Sequence, residues 1–372
     1  MRIFFSCRPA YGHLFPLLPL ANAARAAGHE VVFGTGEVFV PKVRELGFEA
    51  HRVGISIGDA EAEAKRRHGA DAGFRDLAIT MFAELLPRAT MADLRPLLPG
   101  LRPDLVVYEQ SDVGAGAVAR QAGIPAVSHV IGRSMPPEVR AVAAERLAPL
   151  WGGTSPADAM FGDACVDIWP GSVRDPGPAA VPKVFRMRPT PYDPDVPLPP
   201  LPADGFAYLT LGTVVFGATQ VLRGAIAALS RLPVDVLVAT GPGDPAALGP
   251  VPENVRVAGF VPQAEVLRHA GLVVHHGGTG TVLGSLAAGL PQLVLPQGAD
   301  QFANAETLSA LGAAKALVGD AVRTDAIEAA ARELLAGSAA REVARGIAAE
   351  IAGMPAPEEV LGELVSWAGR AG

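Results

Sequence analysis

Short apolar runs alternate with helix-like segments along this chain. Ile3–Ser6 is an apolar run leading into a glycine-containing loop, the segment to Ala27 has a helical pattern stopped by Gly28, and Glu30–Phe33 forms the next run. Strand, helix with a glycine stop, strand is a βαβ unit, and its crossover requires parallel strands. Leu105–Tyr108 and Ala126–His129 repeat the pattern around a small-residue helix, Val113–Gln121, which Gly123 terminates. The second half restarts it with strands predicted at Phe206–Leu211, Val234–Thr240, Val255–Ala258, Leu272–Val274 and Gln292–Leu295. The predicted class is α/β, with two doubly wound Rossmann-like domains facing a central cleft. Such sheets bind ligands at the carboxyl ends of their strands.

A change of composition divides the halves. Ten prolines fall in the 27 residues from Pro176 to Pro202, too dense for a helix or a central strand. The expected domains are 1–186 and 205–354, joined by a proline-rich linker at 187–204. A C-terminal helix at 355–372 is expected to pack back on the N-terminal domain. A length of 372 residues with 49% apolar and 19% charged residues suits two buried cores. The charged stretch Glu61–Arg67, followed by Asp71–Asp76, comes after a weak third strand and reads as a solvated helix or a loop on the acceptor side.

Charge and cysteine content narrow the function. A net charge of −7 supplies no broad basic field, so nucleic acid is not an expected partner. Cys7 and Cys165 are far apart, which predicts no disulfide framework and suits a reducing cytoplasm. Arg8 and Pro9 interrupt the apolar N-terminus at once. No later stretch reaches the roughly 18 apolar residues of a membrane span, so a cytoplasmic protein is expected.

The candidate chemistry sits where strands end. His13, in Tyr11-Gly12-His13-Leu14-Phe15-Pro16, lies at the mouth of the predicted cleft, as a proton acceptor or as a capping histidine. Glu109 follows Leu105–Tyr108 toward the same edge, with Asp112 three residues on. In the second half, Leu272–His275 ends in His275-His276, and Gly277-Gly278-Thr279-Gly280-Thr281 opens a helix reaching about Ala288. A glycine-rich helix start offers free N–H groups and partial positive charge to a phosphate. Its dipole supplies up to about 2 kcal/mol, so a diphosphate needs further donors such as His275 and Thr281. Gly278, Gly280 and Gly284 do not have dinucleotide spacing, and no GxxxxGK[ST] loop occurs. Adjacent histidines on a strand point to opposite faces, so no metal site is expected at His275-His276.

Gly259-Phe260-Val261-Pro262-Gln263, His275-His276-Gly277-Gly278 and Asp300-Gln301 resemble the donor-binding signature of family 1 glycosyltransferases of the GT-B fold. The likeness is closest to actinobacterial enzymes that attach deoxysugars to antibiotics such as macrolides and enediynes. Gly12-His13-Leu14-Phe15-Pro16 matches that family's catalytic-histidine loop, and Leu101–Val107 and Leu209–Thr213 extend the likeness over nearly the whole chain. The resemblance implies that His13 is the general base. Phe260 stands where a tryptophan usually stacks on the nucleobase, although core packing would equally suit it, and Val261 and Gln263 lie beside the nucleoside. His275, Gly277, Gly278, Gly280, Thr281 and Thr213 would hold the diphosphate, and Asp300 and Gln301 the sugar.

Two departures bear on the reaction. A glutamate that holds ribose hydroxyls in enzymes using UDP-sugars is replaced by Leu283, which favours a dTDP-sugar. An aspartate that usually partners the histidine is replaced by Glu109, which would orient His13 or instead bind the acceptor. The reaction implied is inverting transfer of a deoxysugar to a hydroxyl of a hydrophobic natural-product aglycone, with the nucleotide sugar as co-substrate and no metal or other cofactor. Residues 54–95 and 132–165 would line the acceptor, and the protein would act as a monomer or homodimer. A GT-B nucleotide-sugar epimerase, which would turn over donor without acceptor, is one alternative. A non-catalytic helper protein, which would bind no nucleotide, is another.

Overall fold

Residues 1–371, except 70, 72, 152–159, 204, 213–218 and 338, are described by the computed structural model. They divide into two compact units: Met1–Ile168 with Asp175–Met187 and Pro355–Gly372, and Trp169–Arg174 with Arg188–Met354. The first unit holds strands β1 (Arg2–Ser6), β2 (Glu30–Thr35), β3 (Glu49–Arg52), β4 (Leu105–Glu109), β5 (Ala126–His129), β6 (Ala164–Asp167) and β7 (Lys183–Arg186). Its sheet runs β3-β2-β1-β4-β5-β6-β7, every pair parallel. The second unit holds β8 (Phe206–Thr210), β9 (Val236–Ala239), β10 (Val255–Ala258), β11 (Ala270–His275), β12 (Gln292–Val294) and β13 (Ala314–Ala316). It runs β10-β9-β8-β11-β12-β13, again all parallel.

Both sheets therefore reverse their order beside their first strand, between β1 and β4 and between β8 and β11. The crossovers on either side of such a point go to opposite faces, so the loops after those two strands diverge and leave room for a ligand. Helices cover both faces, which is why the central strands are largely apolar instead of alternating, while the edge strands β3 and β7 carry charged residues. In the second unit successive strand residues sort into two cores. Ala207, Leu209, Val236, Val238, Leu272 and Val274 pack on one face. Phe206, Tyr208, Leu237, Ala239 and Val273 pack on the other.

Three strands, β6, β7 and β13, lie outside the runs predicted above. β7 is a proline-free tetrapeptide inside the proline-rich stretch, and it takes the sheet edge, where only one side of the backbone must pair. Its Phe185 ring meets Trp367 at a centroid distance of 6.1 Å. Trp367 belongs to the C-terminal helix Pro357–Ala371, which also packs on helix Leu18–Ala26 of the same unit. The charged stretch is part of helix Ile57–His68, where Glu63 pairs with Arg66 and Arg67. The segment Trp169–Arg174 joins the second unit, where the Ser172 backbone N–H and hydroxyl donate to Glu350. Among the described residues no helix is long and apolar enough to cross a membrane.

Candidate active site

In the first unit the chain leaves β1 at Ser6 and turns through Arg8 into a four-residue helix, Tyr11–Leu14. This places His13 beyond the end of β1, while Ser6 pairs with Tyr108, so Glu109 stands one residue further along β4. His13 Nδ1 lies 3.0 Å from Glu109 Oε1; the histidine side chain is 20% exposed and the glutamate fully buried. An ionised carboxylate only accepts, so Nδ1 carries the proton and the ring's lone pair is on Nε2. Ser111 donates its N–H to Glu109 Oε2 and its hydroxyl to Oε1, both at 2.7 Å. Burial pushes the Glu109 carboxyl up, but His13, Arg8 and the Ser111 hydroxyl outweigh it and hold the group down at about 2.

Asp112 does not join this pair. Its carboxylate accepts from Ser6 Oγ at 2.6 Å and Thr90 Oγ1 at 2.7 Å, and it pairs with Arg8 at 3.1 Å. His129, in register with Glu109 on β5, donates Nδ1–H to Val130 O at 2.8 Å. Burial lowers its pKa to about 4, so it is neutral.

In the second unit β8 ends at Thr210 and β11 at His275, directly paired. The His275 ring is fully buried. Gly277 N–H donates to its Nδ1 at 3.0 Å, so Nε2 carries the hydrogen and donates to Gln292 Oε1 at 2.8 Å. Burial, helped by His276, lowers its pKa to about 3 against the Gln292 bond. Expected to reach a diphosphate, this ring instead has both nitrogens engaged inside the unit, and what it shapes is the backbone turn at Gly277. That turn needs glycine: φ is +94°, and a Cβ would come within 3.0 Å of Gln301 O.

His276 takes the position nearer the glycine loops. Its ring lies so close to Gly212 and Gly278 that a Cβ on either would meet it at 2.4 and 2.5 Å. Burial lowers its pKa to about 4, and its buried Nδ1 has no hydrogen-bond partner among the described residues. Helix Thr279–Ala287 starts here, with Gly280 exposed and Thr281 and Leu283 buried.

Asp300 accepts from Thr279 Oγ1 at 2.9 Å, tying the helix start to the Asp300-Gln301 turn. Gln301, expected to read sugar hydroxyls, is buried, and its Oε1 accepts from Gln297 N at 2.8 Å and Gly298 N at 3.1 Å. Ala299, within that turn, is in the left-handed region at φ +52°. Phe260 is half-buried just after β10, and Val261 belongs to the core. Gln263 opens helix Gln263–His269, with a buried Nε2 that has no partner among the described residues. Thr213 lies outside the described residues. Among the described residues no three His, Cys, Asp or Glu side chains gather as a metal site.

Residues 22–196 match the N-terminal domain, and residues 223–367 the C-terminal domain, of the erythromycin biosynthesis protein CIII-like family. The chain is 33% identical to the L-demethylnoviosyl transferase of Streptomyces niveus, over 97% of this chain and 96% of that protein. It is also 33% identical to the elloramycin glycosyltransferase of Streptomyces olivaceus, covering 98% and 97%. The chain belongs to this family of antibiotic glycosyltransferases. Its fold is GT-B, like that of the Streptomyces sp. SF2575 glycosyltransferase SsfS6 solved with thymidine diphosphate (26% identity, TM-score 0.81, 98% and 99% covered).

Several buried residues of this glycosyltransferase have partners that the sequence pattern does not announce. In the sequence Arg8 is only a break in an apolar run, yet it is buried and paired with Asp112. Asn304, also buried, donates Nδ2–H to Gly277 O at 2.9 Å and to Thr279 Oγ1 at 3.3 Å. Gln292, a polar residue inside an apolar strand, was the available signal for a buried partner, and it meets His275.

Proposed function

We propose that this glycosyltransferase moves a deoxysugar from a dTDP-sugar to a hydroxyl of an apolar natural-product acceptor, with inversion at the anomeric carbon. The observation that carries the reading is the His13–Glu109 pair at 3.0 Å. Glu109 holds the Nδ1–H tautomer, so Nε2 takes the acceptor's hydroxyl proton as general base. The acceptor oxygen then bonds to the anomeric carbon while the bond from that carbon to the diphosphate breaks, and thymidine diphosphate leaves with the electron pair.

On the donor side, the N–H groups at Gly278, Gly280 and Thr281 meet the departing charge, so the chain itself supplies the electrostatic stabilisation. His275 acts through the Gly277 turn. Phe260, Val261 and Gln263 hold the base, Leu283 offers no acceptor to a ribose hydroxyl, and Asp300 faces the sugar on a turn that Gln301 holds through Gln297 and Gly298. The thymidine diphosphate bound by the SF2575 enzyme supports the choice of nucleotide, and the names of the two Streptomyces relatives support the reaction class.

His13→Ala is the direct test. Turnover is expected to fall by about 10²–10⁴-fold, while thymidine diphosphate binding by calorimetry stays as in the parent; unchanged turnover removes the base assignment. A thermal-shift comparison should favour thymidine diphosphate over uridine diphosphate, and the reverse preference removes the donor assignment.

A further inference from the structure

Behind Glu109 lies a second set of polar contacts for which the reaction as described has no use. Arg8 is nearly as buried as Glu109: the side-chain exposures of Arg8 and Asp112 are 2% and 3%, with 3.1 Å between Arg8 Nη2 and Asp112 Oδ1. Arg8 Nη2 also donates to Ser111 O at 3.1 Å, and Nη1 donates to Thr90 Oγ1 at 2.9 Å and Leu86 O at 3.5 Å. Thr90 and Ser6 in turn donate to Asp112. One guanidinium thus joins the end of β1, helix Leu86–Leu101 and the turn that follows β4. That turn is closed on itself by Asp112 N–H donating to Glu109 O at 2.7 Å. From it, Ser111 reaches back to both oxygens of Glu109.

We propose that Arg8 and Ser111 are positioning residues for the transfer reaction, holding the Glu109–Asp112 turn so that Glu109 presents Oε1 to His13. The inference rests on His13 being the base. The contacts run Arg8 to Ser111, Ser111 to Glu109, Glu109 to His13, and each link has a defined donor and acceptor. The same network takes Asp112 out of competition. Its oxygens are occupied by Arg8, Thr90 and Ser6, and among the described residues the carboxylate paired with His13 is that of Glu109. A planar guanidinium can satisfy a carboxylate, a hydroxyl and backbone carbonyls at once, which a lysine ammonium at the same place cannot do with the same geometry.

The test uses the full chain with Arg8→Lys and Ser111→Ala, each made in the parent and in His13→Ala. Both should lower kcat by about 10–10²-fold, the scale of a small misplacement of a catalytic group, with the donor KM and the Kd for thymidine diphosphate within about twofold of the parent. In His13→Ala the same substitutions should have no further effect, because no base remains to be placed. Equal losses in both backgrounds overturn the proposal, as does a kcat left unchanged by both variants or a loss carried by KM. If Arg8→Lys does not fold, Ser111→Ala, which removes one hydroxyl, decides alone. A His13→Ala enzyme as active as the parent is a separate result: it removes the base assignment and this proposal with it.

Discussion

The two units share a topology but furnish the same place in it with opposite electrostatics. At the order reversal of the first sheet two buried carboxylates are paired: Glu109 with the His13 Nδ1–H, and Asp112 with Arg8. At the reversal of the second, the groups next to the strand ends are neutral: two histidines held uncharged by burial, amide and hydroxyl side chains, and a glycine-rich helix start, with the Asp300 carboxylate tied to Thr279. A site that moves a proton needs charges that are already compensated, so that its basic nitrogen is poised and oriented. In the proposed reaction the second site receives the leaving diphosphate, which free N–H groups at a helix start stabilise. The fold therefore decides where chemistry can occur, and the side chains decide its sign.

Substitution at the charged half should break the comparison most sharply. Glu109→Gln keeps the shape but removes the obligate acceptor that sets the His13 tautomer. It is expected to lower turnover by on the order of 10²–10⁴-fold while calorimetry finds thymidine diphosphate binding unchanged. A matching loss of nucleotide binding would show that the halves do not divide the work as described.

The neutral half should answer with stability and affinity instead. In Gly277→Ala a Cβ at φ +94° would lie 2.9 Å from Val294 Cγ1 and 3.0 Å from Gln301 O. Denaturant unfolding should show a loss of about 1–3 kcal/mol, and thymidine diphosphate binding should weaken with it. Retained stability would mean that the turn relaxes freely and that its geometry is not held by its neighbours.

Acid should separate the buried histidines of both units from Glu109 by pH window. His275, His276 and His129 have folded pKa values lowered to about 3, 4 and 4, from an ordinary 6.5. The unfolded chain binds their protons first, so the stability they contribute is complete above about pH 6.5 and is lost as pH falls toward those folded values. Glu109 is lowered from 4.5 to about 2, so its contribution is intact above about 4.5 and is lost only as pH falls through 2. Each group adds at most about 1.4 kcal/mol per pH unit inside its window. Unfolding measured from pH 7 to 4 should therefore weaken first through the histidines, and replacing His275 by Gln should flatten that slope. An unaltered slope would assign the acid sensitivity elsewhere.

Much of this was legible in the chain. The strands of the βαβ units are continuous apolar runs, and a run buried on both faces leaves a signal that needs no partner to be seen. The glycine stops and the His275–Thr281 helix start are local, so spacing alone placed them. β6, β7 and β13 were not visible because three or four residues, some of them charged, carry no period of their own; β7 exists because an edge and the C-terminal helix are there to receive Phe185. Arg8 and Asp112 were illegible for another reason. Each is an ordinary polar residue near a strand end, and only their meeting makes them a buried pair.

The sequence by itself determined two parallel sheets, the loops in which chemistry had to lie, and the family to which the chain belongs. Those follow from local periodicity and from motifs read in order along the chain. The tertiary structure alone decided which carboxylate meets His13, a choice between Glu109 and Asp112 made across 96 residues by a network anchored on Arg8. It also decided that His275 turns inward to Gln292 and Gly277. Both are outcomes of hydrogen-bond satisfaction in a buried space, where most donors and acceptors find a partner, and partners distant in sequence become known only when the sheet brings them together.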